Sequence, residues 1–298
     1  MVIVTKKIKG GKEYYYLEHS IREKDTVKKK ELYLGIEIPK NIEVIKKEFI
    51  NELYKERWYS KLNEIKSKFS REIRTMPKSL REKELQSFMV KFTYDTQRIE
   101  GSKLTLKETA NLLERGITPK EKSLRDVKEA EAHKRVFYEM LKYKKDFSLS
   151  IILYWHKELF QSTKNDIAGQ IRSHGVAISG SKFVPPSPVE LNVLLKEFFE
   201  WYSKNKDKIH PVELAALVHI KFVTIHPFAD GNGRISRLIM NFVLNKNNYP
   251  MFDIPYENRN SYYTALERSQ IKKDEYIFVQ WLFRKYIKDS RKYTKHQK

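Results

Sequence analysis

Twelve consecutive residues, His226 to Arg237 (HPFADGNGRISR), bring together a histidine, an aspartate, two glycines around an asparagine, and two arginines. Glycine destabilises a helix, so Gly231-Asn232-Gly233 marks a break with a use. Where a helix restarts, its first N–H groups point outward with partial positive charge. Glycines let an anion approach that backbone closely, so Gly231, Asn232 and Gly233 read as an anion nest suited to phosphate. Arg234 and Arg237 are three apart on the following helix, where both could fork onto phosphate oxygens. Asp230 adjoins the nest, and one carboxylate plus substrate phosphates is the usual way to hold Mg²⁺. His226 stands at the loop entrance as a general base, its imidazole neutral near pH 7. Phe228 reads as an anchor pinning the loop to the core. Each part alone is commonplace. Together they are the parts of a phosphoryl or nucleotidyl transfer site.

These residues need rigid elements around them, and the chain's periodicity supplies helices. Ile42, Val44, Ile45, Phe49, Ile50, Leu53, Tyr54 and Trp58 recur at helical spacing, predicting a long helix to about Arg74, stopped before Pro77. Ser79–Glu82 and Thr105–Glu108 read as capping boxes that start the next two helices, the first running to Ile99. Gly116 reads as a stop. Further helices are expected near 123–143, 149–162, 188–204, 211–225, 232–246, 259–269 and 274–291. The helix at 188 is signalled by Ser187, Pro188 and Glu190. Val176 to Val184 alternates like a strand or hairpin, and Pro185-Pro186 then blocks a helix. Such a segment suits pairing with a guest peptide, and equally a plain connecting loop. The N-terminus reads as β: two strands flank Lys9-Gly10-Gly11-Lys12, and a third spans about Lys29 to Leu34.

The 298 residues include 40% hydrophobic and 13% aromatic side chains, enough for a real core. There is no cysteine, which excludes disulfides and thiolate metal sites. A cytoplasmic home follows most simply, and a thermophilic proteome fits as well. No apolar run is long enough to span a membrane, and the first residues lack a signal-peptide core. The net charge of +21 attracts polyanions, nucleic acid among them. A lysine-rich solvated surface gives the same composition, and the lysines are spread along the chain rather than gathered in one arm.

HPFADGNGRISR resembles the signature of the Fic (filamentation induced by cAMP) family, HPFx(D/E)GNGRxxR, at every fixed position. The resemblance implies a mainly α fold, a Fic-type helical bundle with a short flap hairpin, here preceded by a small β meander. It implies transfer of AMP from Mg-ATP to a Ser, Thr or Tyr hydroxyl of a target protein. By matching position, His226 would deprotonate the hydroxyl and Asp230 would hold Mg²⁺. Asn232, with Gly231 and Gly233, would bind the α- and β-phosphates, Arg234 would assist there, and Arg237 would hold the γ-phosphate. Ala168 to Pro188 is similar to the family's flap, with Val176, Ile178, Val184 and Pro185 as target-docking positions. Arg259, Tyr262, Tyr263 and Leu266 resemble a pattern lining the adenosine pocket. Gln270 stands where a related member has Asn. The tyrosines fit core packing too. His219, seven residues before His226, reads as structural.

Thr96-Gln-Arg-Ile-Glu100-Gly101 matches the family's inhibitory (S/T)xxxE(G/N) motif, in the subgroup whose inhibitory helix precedes the core. Thr96 and Glu100 fall on one helix face, and Gly101 also suits a plain helix stop. The resemblance implies that Glu100 pairs with Arg237 and denies it to the γ-phosphate. In some relatives the same glutamate positions water to remove AMP. The expected organisation is a meander at 1–38, a connecting helix at 39–78, and a Fic domain at 79–298 with its inhibitory helix at 79–101. Transfer of a different nucleotide or phosphate group by the same site is an alternative. A basic nucleic-acid-binding regulator on a Fic scaffold is another. Homodimers are common among related proteins.

Overall fold

A computed structural model describes residues 2–23 and 26–294; Met1, Lys24, Asp25 and 295–298 lie outside the description, including the end of the expected 79–298 domain. Contacts divide the chain into two units, Met1–Lys61 and Leu62–Lys298. The first unit contains an antiparallel sheet, β1 (Ile3–Lys9), β2 (Lys12–Glu23) and β3 (Thr26–Gly35), in that order. Lys9 pairs with Lys12 around a two-residue turn. Both Gly10 and Gly11 have positive φ there (58° and 75°), the geometry that matches strand twist. Leu17 on the central strand is fully buried, and the neighbouring His19 ring lies 6.4 Å from Tyr54 on the first helix.

That helix, α1 (Ile42–Thr75), runs as its apolar spacing predicts. The division between units falls inside it, not at 38 or 78. Tyr54 belongs with the sheet, while Leu62 and Ile65 are fully buried in the second unit. α2 (Lys78–Ile99) begins directly after Pro77, and no side chain caps it. Pro77 takes the extended conformation that precedes a helix, so Ser79 lies within the first turn and the expected Ser79–Glu82 box does not form. α3 (Leu106–Arg115) has its box: Thr105 Oγ1 accepts from Glu108 N (3.2 Å), and Glu108 Oε2 accepts from Thr105 N (2.8 Å). Gly116 ends it at φ 69°.

α4 (Leu124–Lys142) and α5 (Leu149–Phe160) follow. Pro188–Glu190 forms a single 3₁₀ turn, so α6 (Leu191–Asn205) starts after the expected position. The core is built on α7 (Pro211–Ile225) and α8 (Asn232–Lys246), which pack on each other. α7 is apolar nearly all round, the pattern of a fully buried helix. It packs also on α6 and α10 (Glu275–Asp289), while α2, α4 and α5 contact α8. α9 (Arg259–Ile271) lies on α10, and a short α11 (Arg291–Thr294) ends the described chain. Among the described residues, no helix is long and apolar enough to cross a membrane.

Candidate active site

The α7–α8 connection holds the twelve-residue stretch. α7 is capped by His226, which takes the left-handed conformation (φ 53°) and so turns the chain sharply. α8 begins after Gly231, also left-handed at φ 84°. A side chain at Gly231 would overlap the Phe160 ring, so both space and conformation require glycine. Ile235 N makes the first helical bond, to Gly231 O. The N–H groups of residues 232–234 therefore have no partner within the helix.

Several contacts hold the loop rigid. Phe228 is fully buried. The Asn232 side chain accepts from Phe228 N (2.9 Å) and donates to Phe228 O (2.8 Å), closing the loop on itself. His156 on α5 stacks on Phe228 with ring centroids 3.8 Å apart. Its Nδ1 accepts from Gly169 N (2.9 Å), which leaves Nε2–H to donate to Asp230 O (3.0 Å). Burial lowers its pKa to about 4, so it stays neutral and keeps that tautomer.

His226 Nδ1 lies 3.1 Å from Val223 O, a proton acceptor. Nδ1 therefore carries the hydrogen, and Nε2 keeps a free lone pair. Burial lowers the His226 pKa below its ordinary value, so the ring is a neutral base at pH 7. The ring lines a cavity of about 670 Å³ together with Asp230, residues 231–233, Arg237 and Glu100.

Arg237 is fully buried. Its Nη2 pairs with Glu100 Oε1 at 2.6 Å, its Nε donates to Thr96 Oγ1 (3.2 Å), and its Nη1 reaches Tyr262 OH (3.4 Å). Thr96 in α2 and Glu100 directly after it both reach the Arg237 guanidinium. A side chain at Gly233 would collide with the Glu100 carboxylate, which therefore sits directly over the first turn of α8. Glu100 thus occupies two phosphate-suited positions at once, the arginine and the helix N-terminus. Gly101 follows at φ 99°, so the helix stop and the pairing coexist.

A profile of the Fic/DOC family matches residues 146–244. Over those residues the chain is similar to a Fic domain. Protein adenylyltransferase Fic of Drosophila yakuba is 36% identical over 178 residues, covering 58% of this chain and 36% of that protein. The D. melanogaster protein of the same name is 35% identical over the same length. The chain spans about a third of the length of these curated relatives. A Fic-domain-containing signalling protein of Bacteroides thetaiotaomicron has a similar structure, with a TM-score of 0.69 at 28% identity over 80% of this chain and 94% of that one. Fic-1 (residues 134–508) of C. elegans gives 0.69 at 26% identity over 83% and 72%.

The site departs from the sequence expectations at several residues. Arg234 does not share Arg237's direction. Its buried guanidinium pairs with Glu129 and with Asp230 Oδ1 (3.1 Å), reaches Gln97 Oε1 (3.3 Å), and lies over the Phe160 ring. It supports the loop from behind and does not line the cavity. The Asn232 amide is likewise committed to Phe228, leaving only its backbone N–H for a phosphate. Tyr262 is buried, its hydroxyl 3.1 Å from His219 Nε2; His219 is buried too, in the structural position expected of it. Tyr262, Tyr263 and Gln270 all line the cavity. Tyr263 OH donates to Ile99 O (3.1 Å) at the end of α2, and Gln270 Nε2 to Thr224 Oγ1 (3.3 Å).

The flap reverses at Ser179-Gly180, and no strand is present in it among the described residues. Its contacts go elsewhere. Arg172 donates from Nε to His226 O (2.8 Å), from Nη1 to His174 O (2.8 Å) and from Nη2 to Pro186 O (2.7 Å). Glu267 on α9 accepts from Ser181 Oγ (3.1 Å) and Lys182 N (2.6 Å) at the tip. Of the expected docking positions, Ile178 lines the cavity, Val176 is half-buried and Val184 is exposed. Pro185 is buried, so it fixes the flap's base and offers no docking surface.

The sequence places Arg172 in the flap-like stretch without a role of its own, and gives none to His156, Glu129, Arg125 or Lys164. Glu129 pairs with Arg234 and with Arg125 Nε (2.9 Å). Lys164 Nζ pairs with Asp230 Oδ2, and Arg125 Nη2 stands 3.9 Å from the same oxygen. Burial pushes the Asp230 pKa up, but Arg234 and Lys164 prevail and bring it to about 2. Asp230 is therefore ionised at neutral pH. Among the described residues no cluster of three or more His, Cys, Asp or Glu side chains could hold a metal alone. A single ionised carboxylate beside a phosphate nest fits Mg²⁺ held mainly by phosphates and water.

Proposed function

We propose that the protein is an autoinhibited protein adenylyltransferase, moving AMP from Mg-ATP to a hydroxyl of a target protein. One observation carries this reading: a free His226 Nε2 faces the same cavity as an anion-binding helix N-terminus and a buried arginine, and a glutamate of the same chain covers both. The adenylyltransferase names of the Drosophila relatives support it.

In this reading, the N–H groups of residues 232–234 and Arg237 receive the phosphates once Glu100 has moved aside. Asp230 holds Mg²⁺, which would neutralise phosphate charge. His226 Nε2 takes the proton from the target hydroxyl. The hydroxyl oxygen forms a bond to the α-phosphorus while the bond from that phosphorus to the bridging oxygen of the β-phosphate breaks. Pyrophosphate leaves, and the AMP remains on the target oxygen. The flap's extended arms, with no ladder of their own, suit pairing with a target segment.

Incubation of Glu100→Gly protein with α-labelled ATP, CTP, GTP or UTP, Mg²⁺ and lysate tests the activity and the donor together. Label from ATP, lost in Glu100→Gly/His226→Ala, is the expected outcome. Label from another nucleotide alone would replace the adenylyl reading, and no label from any would remove it.

A further inference from the structure

Asp230 is crowded with positive charge. Lys164 and Arg125 face its Oδ2, while Arg234 and the Gly231 N–H (2.5 Å) face its Oδ1. Glu129 is the other carboxylate in the cluster, and it is paired with both arginines. Three cations thus surround two anions, leaving one net positive charge beside a helix N-terminus. The two arginines are held by Glu129, and Arg234 is buried. Lys164 is different. It sits at the end of a side chain 20% exposed, and Asp230 is its ion-pair partner. Its ammonium pairs with Oδ2, the carboxylate oxygen that Arg234 and the Gly231 N–H leave to other cations.

We propose that Lys164 is a built-in competitor for the metal position at Asp230, so that the site rejects a bare divalent cation and accepts one only together with a nucleotide. This inference rests on Asp230 as the metal ligand of the proposed function. The physical reason is charge. A bare dication entering a net-positive cluster must displace an ammonium and gains one carboxylate oxygen. A dication arriving on a triphosphate brings negative charge of its own, and the displaced ammonium then has phosphates beside it. Lys164 is thereby a specificity-determining residue: it sets the order in which metal and nucleotide arrive.

The test is Mn²⁺ binding followed by electron paramagnetic resonance of the free ion, with and without a non-hydrolysable ATP analogue. Without nucleotide, wild type and Lys164→Arg should bind Mn²⁺ weakly. Lys164→Met should bind at least about tenfold more tightly, because one positive charge beside the ligand is gone. Asp230→Asn introduced into Lys164→Met should abolish that gain. With the analogue present, Glu100→Gly protein, in which the phosphate positions are uncovered, should bind Mn²⁺ in an Asp230-dependent manner. Equal nucleotide-free affinity in wild type and Lys164→Met overturns the competitor role while leaving the metal site standing. Absence of Asp230-dependent Mn²⁺ binding even with nucleotide removes the metal site and this proposal with it. Thermal melting of each variant separates loss of fold from loss of binding, and Lys164→Gln supplies a second neutral side chain.

Discussion

Arg237 is fully buried and spends its guanidinium on Thr96, Glu100 and Tyr262. It cannot hold a phosphate while so engaged. A hydrogen bond to a charged group contributes about 1.5–3 kcal/mol, so Glu100→Gly should speed transfer about ten- to a hundredfold. Initial rates at saturating Mg-ATP check this. His226→Ala in that background should slow transfer about 10²- to 10⁴-fold, the range for a lost general base. The same histidine predicts a pH profile. Its neutral form is the active base, and burial lowers its pKa below 6.5. The acid limb of kcat/KM should therefore be centred below pH 6.5, where the ring gains its proton. An acid limb centred above 7 would mean that another group is the base. The phosphate loop was legible in sequence because its parts are neighbours in the chain. Arg234 was misdirected for a physical reason: residues three apart on a helix differ by about 60° in direction, and long side chains diverge from there. Its partner Glu129 lies 105 residues away, with no local pattern to announce it.

At the scale of elements, the site is the gap between α7 and α8, closed on one side by the end of α2 and on another by the flap. The boundaries of α7 and α8 followed from their apolar runs and flanking Pro211 and Gly231. Pairing within the flap did not follow from its alternation. Alternation reports which face is apolar, whereas a ladder needs a partner strand. The flap's arms are instead fastened at the base by Arg172 and at the tip by Glu267. Arg172→Ala would leave carbonyls of His226, His174 and Pro186 without their donor, at a cost of about 1–3 kcal/mol. It should lower the melting temperature and speed proteolysis between residues 173 and 184. Unchanged cleavage would show that the arginine does not hold the flap. Gly231→Ala tests the loop itself. Its Cβ would strain a left-handed residue and strike Phe160, so it should weaken nucleotide binding more than Ala at Gly180, which meets open space.

At the scale of the molecule, every residue of the site lies in the unit Leu62–Lys298. Deleting residues 1–38 should therefore leave ATP-analogue binding unchanged by calorimetry. The +21 charge is less available than composition suggests, because some of the sheet's lysines are answered locally. Lys7 and Lys29 pair with Glu18 and Glu31, and Lys30 with Glu56. The sheet and its Gly-Gly turn were legible from local pattern. The division of α1 between two units was not, since the helix is continuous and only tertiary contacts split it. The central claim is that this chain moves AMP and that Glu100 restrains it. Mass spectrometry of a lysate treated with Mg-ATP measures both. Glu100→Gly protein should add AMP to a hydroxyl-bearing residue far more than wild type does, and Glu100→Gly/His226→Ala should add none. Equal AMP addition by wild type and Glu100→Gly, or addition that survives loss of His226, would contradict the account.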